Sequence, residues 1–211
     1  MSPAGTRNAQ GASPYERALG GRIDELHPTL RRYFTSLPDG HVGRGEGVFE
    51  RAGSPQRWTR PLLRLLQPSG AVYGGWETQV PFRIANRLVR ARVTGERCFG
   101  FTRGAWIMRD SVGLNAHGRL VDEVGDPAVV VASFDLDVQG GALLLTSRAV
   151  GIRVGRVRIR LPRAVAPVVR LREAFDEASG GQSVRVTIDA PVIGRVYEYR
   201  GVFRYRIEEV G

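Results

Sequence analysis

The stretch from Ser183 to Ile207, SVRVTIDAPVIGRVYEYRGVFRYRI, constrains the fold of this chain most. Within it Tyr197, Tyr199, Phe203 and Tyr205 fall on one parity, and Glu198, Arg200, Arg204 and Arg206 on the other. A period of two in aromatic and β-branched residues marks an antiparallel strand with one face on a core and one in water. That aromatic face requires partners, and the sequence from Trp76 onward offers them. Strands are expected at Glu77 to Arg83, Leu88 to Val93, Glu96 to Arg103, Ala105 to Asp110, Arg119 to Val124, Ala128 to Asp137, Ala142 to Val150, Arg156 to Leu161, Val168 to Glu177, Ser183 to Asp189 and Arg195 to Ile207. Turn residues separate them at Thr94-Gly95, Ala116-His117-Gly118, Gly125-Asp126-Pro127, Gln139-Gly140-Gly141 and Ser179-Gly180-Gly181. No crossover helices intervene, so a parallel α/β fold is excluded. The pattern predicts an α+β chain, mainly antiparallel β, whose nine to twelve strands form a large curved or barrel-like sheet with a few N-terminal and capping helices.

Ahead of the strands, residues 1–12 are small and polar and read as a flexible arm, leaving 13–211 as a single domain. Ser13-Pro14-Tyr15-Glu16 carries a helix start, with Ser at the N-cap, Pro in the first turn and Glu closing a capping box. Gly20-Gly21 ends that helix, and a second helical piece follows from Ile23, with Pro28 breaking it or starting a new turn. Leu30, Tyr33, Phe34 and Leu37 form its core-facing stripe. HVGRGEGVFERA, from His41 to Ala52, reads as a glycine-weakened or bulged strand. It is not a phosphate loop, because no helix and no lysine follow G-x-G-x-G. Thr59 to Gln67 is an amphipathic helix, with Trp58, Leu62, Leu65 and Leu66 on one face and Arg60, Arg64 and Gln67 on the other. It either caps the open end of the sheet or lies on anionic lipid.

Charge excludes several chemistries. All 31 basic residues are Arg, with no lysine, so Schiff-base, pyridoxal-phosphate and P-loop chemistry are removed. The balance alternates along the chain: +7 from Gln56 to Arg103, −4 from Trp106 to Asp137, and +8 from Val138 to Arg172. Neighbouring strands of opposite sign pair across a meander. Asp135 and Asp137 are expected to answer Arg156, Arg158 and Arg160, on a strand whose Val157, Ile159 and Leu161 point inward. His27, His41 and His117 are scattered, and Cys98 is the one cysteine, so neither a metal site nor a disulfide is expected. No cofactor motif is present. No apolar run reaches the roughly 18 residues of a membrane span, no signal peptide is evident, and a bacterial-type cytoplasm is the expected location.

YERALG, GRGEGVFERA, WTRPLLRLL and LVDEVGDP, followed by LPRAVAP and IDAPVIGRVYEYRGVF, resemble in their order the bacterial domain-of-unknown-function family 4166. The most specific pieces are Leu161 to Pro167 and Pro191 to Phe203. The resemblance covers about Tyr15 to Ile207 and brings no activity with it. Some members follow a Rossmann-type NAD-binding domain, which this chain lacks, so the resemblance implies a free-standing accessory or binding domain.

The leading functional expectation is a non-catalytic binding module for a small hydrophobic or lipid-like ligand in a curved-sheet cavity, lined by Trp106, Tyr197, Tyr199 and Phe203. An enzyme would need a polar cluster in that cavity, for which Arg109, Asp110 and Arg163 are the charged candidates. A third expectation is a basic surface centred on Trp58, Arg60 and Arg64 that meets an anionic partner, lipid rather than nucleic acid, since no nucleic-acid-binding signature is present.

Overall fold

The structure, a computed structural model, describes residues 11–210; residues 1–10 of the expected N-terminal arm lie outside them. Helix α1 spans Pro14–Leu19, and its capping box forms as the sequence predicts: Glu16 N donates to Ser13 Oγ, and Ser13 N donates to Glu16 Oε2 at 2.8 Å. Gly20 caps its C-terminus, and a 3-10 turn leads to α2, Pro28–Phe34. Pro28 therefore opens a helix rather than breaking one, in the first turn, where its missing N–H costs nothing. Helix α3 is Arg60–Leu66, bracketed by 3-10 turns.

The strands are β1 (His41–Gly53), β2 (Trp76–Val89), β3 (Arg92–Phe101), β4 (Gly104–Leu114), β5 (Leu120–Gly125), β6 (Ala128–Gln139), β7 (Ala142–Val154), β8 (Val157–Arg160), β9 (Val168–Asp176), β10 (Gly181–Ala190) and β11 (Gly194–Glu209). β1 is joined to β2 through the α3 segment and hairpins carry the sheet from β2 to β7; β7 then pairs with β9, and β9, β10 and β11 return to β1. Ten antiparallel strands thus close a barrel, and β8 hangs off the end of β7. The C-terminal ribbon is β11, paired with β1 on one side and β10 on the other. Tyr197, Tyr199 and Phe203 are buried inside against Phe49, Phe82 and Phe99, while Arg200 and Arg206 bridge outside to Glu50 and Glu46. The glycine track of β1 has a steric purpose. A Cβ at Gly43 would occupy the Tyr205 ring, and one at Gly47 would meet the backbone of β11, so aromatic side chains of β11 fill space that side chains at these β1 positions would take. A register shift between Phe49 and Arg51 supplies the expected bulge.

Three expectations are corrected. The β2–β3 turn lies at Arg90-Ala91, both with positive φ, and not at Thr94-Gly95, which is inside β3. Val157 and Ile159 are exposed, because β8 pairs only with the overhanging end of β7 and has no core behind it. Asp135 pairs with Arg119 and Arg148, and Asp137 with Arg22, while Arg158 reaches Glu123; β8 meets the far end of β7, away from those aspartates.

The barrel ends differ. Helices α1 and α2 plug the end that carries the Arg90-Ala91 and Gly140-Gly141 turns, burying Leu19, Leu30 and Phe34 against Val112, Leu120, Val138 and Leu143. Helix α3 lies over the other end, where the β3–β4, β5–β6 and β10–β11 turns gather. It is tied across that mouth by Gln56 Nε2 donating to Ile193 O (2.9 Å) on one side and Asp126 N donating to Ser69 O (2.8 Å) on the other.

Candidate functional site

The rotational phase of α3 is set by a buried pair of hydroxyls. Ser54 Oγ and Thr59 Oγ1 lie 2.7 Å apart, and Thr59 also donates to Gln56 O at 2.8 Å. With Thr59 held inward, Leu63 and Leu66 follow onto the aromatic core. Arg60, Arg64 and Gln67 then face the mouth. Trp58, Leu62 and Leu65 face solvent, at 65%, 64% and 76% exposure. The sequence reading had grouped these last three with Leu66 as one apolar face; a run with leucine at 62, 63, 65 and 66 has two, and the hydroxyl pair selects the other for the core.

Beneath α3 lies a cleft of about 710 Å³, lined by Arg60, Arg64, Arg103, Tyr73, Trp76, Trp106, Gln67 and Glu77 among others. Its apolar wall continues into the core: Tyr73 stacks on Phe101 with ring centroids 3.7 Å apart, and Trp106 tilts against Phe99. The Trp106 indole N–H is buried and has no hydrogen-bond partner among the described residues. Gly74 forms part of the lining, where the aliphatic stem of Arg64 occupies the space a Cβ would need. Glu77, the cleft's carboxylate, is engaged: its Oε1 accepts from Tyr73 Oη at 2.9 Å, and its Oε2 accepts from Thr102 N and Oγ1 at 2.8 and 2.7 Å. Desolvation pushes its pKa up, but the hydrogen bonds from Thr102 and Tyr73, with the charge of Arg103, outweigh that and hold it below the usual carboxylate range. Arg60 Nε donates to Ser54 O. Among the described residues no carboxylate lies within 4 Å of Arg57, Arg60, Arg64 or Arg103. Of the nine arginines between Gln56 and Arg103, only Arg92 and Arg97 reach acids among the described residues.

The barrel interior holds a second polar constellation. Arg97 forms an ion pair with Asp110 across β3 and β4, and Asn86 joins them over Gly95, where a Cβ would strike Asp110 Oδ1. Asp122 lies nearby on β5 with Oδ1 unpartnered, and Glu173 on β9 accepts from Gln182. Burial pushes the Asp122 carboxyl up to about 8, with Asp110 raising it further and Arg97 opposing. Burial likewise raises Glu173 to about 7, against the hydrogen bond from Gln182 and the charge of Arg97. The layer therefore holds the Arg97–Asp110 ion pair beside two carboxyls whose pKa burial raises into the neutral range.

The sequence-derived candidates separate accordingly. Trp106, Arg60 and Arg64 meet in the mouth cleft. Trp58 is on the outer face of α3. Tyr197, Tyr199 and Phe203 are packed in the aromatic core and do not line the cleft. Arg109 is on the outer barrel wall, bonded to Glu96 at 3.0 Å and Asp126 at 3.3 Å, beside a recess of about 150 Å³ that shares Gln67, Pro68 and Trp106 with the cleft. Arg163 is exposed in the connection leading into β9. Asp110, its neighbour Arg97, Asp122 and Glu173 were in reach of the sequence: strand parity with Phe99, Met108, Leu120 and Leu171 places all four inward. No helix among the described residues is long and apolar enough to cross a membrane, and none of their His, Cys, Asp and Glu residues group as a metal site.

No solved structure matches this chain. An uncharacterized protein of Bacillus subtilis (strain 168), YndH, is 25% identical over 187 residues, covering 85% of this chain and 90% of the relative. The model of the family described as "Domain of unknown function (DUF4166)" matches residues 26–203, from the end of the first 3-10 turn to Phe203 of the last strand, and this chain belongs to that family.

Proposed function

We propose that the domain is a non-catalytic binding module whose mouth cleft takes a lipid-like ligand with an anionic head group. The observation that carries this is the pairing, in one cleft, of three arginines without carboxylate partners and an aromatic wall of Tyr73, Trp76 and Trp106. An acyl or aromatic body lies against the wall, and a phosphate or carboxylate meets the guanidiniums of Arg60, Arg64 and Arg103, whose planar forks bind such oxyanions in pairs of hydrogen bonds. Glu77 is held by Thr102 and Tyr73; of the three cations its charge bears on Arg103, and it makes no ion pair within 4 Å with any of them among the described residues. In a bacterial cytoplasm, the compartment expected from the sequence, acyl phosphates and fatty carboxylates are ligands of this chemistry.

Tryptophan fluorescence titration with dodecyl phosphate tests the reading, with dodecanol as the neutral control. Saturable quenching by dodecyl phosphate alone is expected, and Arg64→Ala should weaken it about tenfold or more, since a hydrogen bond to a charged group contributes roughly 1.5–3 kcal/mol. Equal binding of dodecanol, or no effect of Arg64→Ala, would remove the arginines from the argument.

A second reading, an enzyme, draws on the interior layer. Asp122, whose carboxyl burial raises to about 8, lies beside the Arg97–Asp110 ion pair, so a group able to give up a proton near neutrality adjoins a second buried carboxyl. A ligand recovered chemically altered from the wild type and unaltered from Asp122→Asn would favour it.

A further inference from the structure

We propose that the outer face of α3, together with the tip of the β10–β11 hairpin, docks the barrel mouth onto an anionic lipid bilayer. This rests on the reading of the cleft as a lipid-like ligand site and names the surface from which that ligand is exchanged. Trp58, Leu62 and Leu65 recur at the i, i+4, i+7 spacing of one helical face, and all are more than half exposed. Beside them Val192 is fully exposed at the hairpin tip, with Ile193 next to it. The two apolar prongs are joined by the hydrogen bond from Gln56 Nε2 to Ile193 O. Val192 also holds a left-handed φ of 65°, a conformation that a β-branched residue rarely adopts. A bare apolar side chain is thus presented outward at a position where glycine or asparagine would fit the backbone better.

Charge identifies the occupant. Arg57 adjoins Trp58 in the chain, and Arg60, Arg64 and Arg103 line the cleft behind the helix, all without an acid within 4 Å among the described residues, whereas half of the Val138 to Arg172 arginines are answered: Arg148 by Asp135, Arg153 and Arg158 by Glu123, and Arg170 by Asp189. A short helix with tryptophan and leucine outward and arginine flanking fits the boundary between head groups and acyl chains, with the guanidiniums at phosphate level. Arginines in the same helical turn line the cleft behind it, so a bilayer on the outer face brings phosphates to the cleft's rim.

Co-sedimentation with vesicles of phosphatidylcholine containing about a third phosphatidylglycerol, against pure phosphatidylcholine, tests the docking in the full chain. Binding is expected to the anionic vesicles alone and to fall with added salt. The double variant Leu62→Ser, Leu65→Ser should lose vesicle affinity at least about tenfold. It should retain the wild-type thermal midpoint, because both side chains are exposed, and it should still bind monomeric dodecyl phosphate. Trp58 emission should shift to the blue on anionic vesicles and the shift vanish in Trp58→Phe. Wild-type binding by the double variant, equal binding to neutral vesicles, binding to neither kind, or burial of this face in a stable dimer in solution would each overturn the proposal. Vesicle binding without dodecyl phosphate binding would leave the docking standing and sink the cleft reading instead.

Discussion

Asp122 and Glu173 are the residues whose chemistry most departs from their surroundings. Each has a folded pKa raised above its unfolded value, Asp122 from 3.8 to about 8 and Glu173 from 4.5 to about 7. The folded state therefore holds protons that the unfolded chain releases. The stability this contributes is complete below about pH 4 and is lost as pH rises through the folded values. Each group should cost about 1.4 kcal/mol per pH unit across its window. Asp122→Asn and Glu173→Gln remove that dependence, so the stability of each variant relative to wild type should climb from pH 5 to pH 8, read from denaturant midpoints. Parallel curves would show that the carboxyls are solvated. Gly95 guards the same layer: Gly95→Ala would push a methyl against Asp110 Oδ1, with Arg97 Nη1 and Asn86 Oδ1 a little over 3 Å away. A destabilisation of roughly 1–3 kcal/mol is expected from such overpacking. A thermal melt unchanged from wild type would mean that the layer has slack.

At the scale of elements, the strands were legible and their joins were not always. Parity in YEYRGVFRYRI settles which side of β11 is wet, and the turns at Gly118, Gly140-Gly141 and Gly180 fall where glycine signals them. Arg90-Ala91 could not be found that way, because two ordinary side chains adopt positive φ there, while Gly95, which looks like a turn residue, is small to clear the polar layer. Helix α3 failed differently: leucine at 62, 63, 65 and 66 supports two phases, and the choice is made by Ser54 and Thr59, outside any hydropathy pattern. The same logic yields a paired prediction. Leu63→Ala and Thr59→Val should each lower stability, the second by roughly 0.5–1.5 kcal/mol through loss of the buried hydrogen bonds that Thr59 Oγ1 makes with Ser54 Oγ and Gln56 O, while Leu62→Ala should leave it unchanged. Equal losses at Leu62 and Leu63, measured by urea denaturation, would contradict the phase. The mouth cleft itself was only half legible: Trp106, Arg60 and Arg64 stand out in the sequence, but Tyr73, Trp76 and Arg103 join them only through the fold of the Gly74-Gly75 segment under α3.

For the molecule as a whole, closure decides both stability and access. With β1 to β7 each paired to the next, the ring depends on β7 serving two neighbours, β6 along most of its length and β9 at Leu143 to Thr146. Leu143 and Leu145, on this shared segment, are buried in the cluster under the α1–α2 plug, so closing the sheet and seating the plug are one packing event. A closed ring has no free strand edge, which leaves β8 as the exception: it pairs with β7 alone and its four residues are exposed. The plug packs over one end, so the aromatic wall is approached from the α3 end. Native-state amide hydrogen exchange should resolve this architecture. Amides of β8 should exchange first, through local opening that spares the barrel, while β1, β2 and β11, flanked on both sides by long strands, should exchange last and only with global unfolding. The decisive amides are those of β6 and β7 between Val130 and Ile152. If the ring is closed they should be protected like β1; if they exchange with β8, the sheet is open at that seam and the barrel, with the mouth it creates, does not exist in solution.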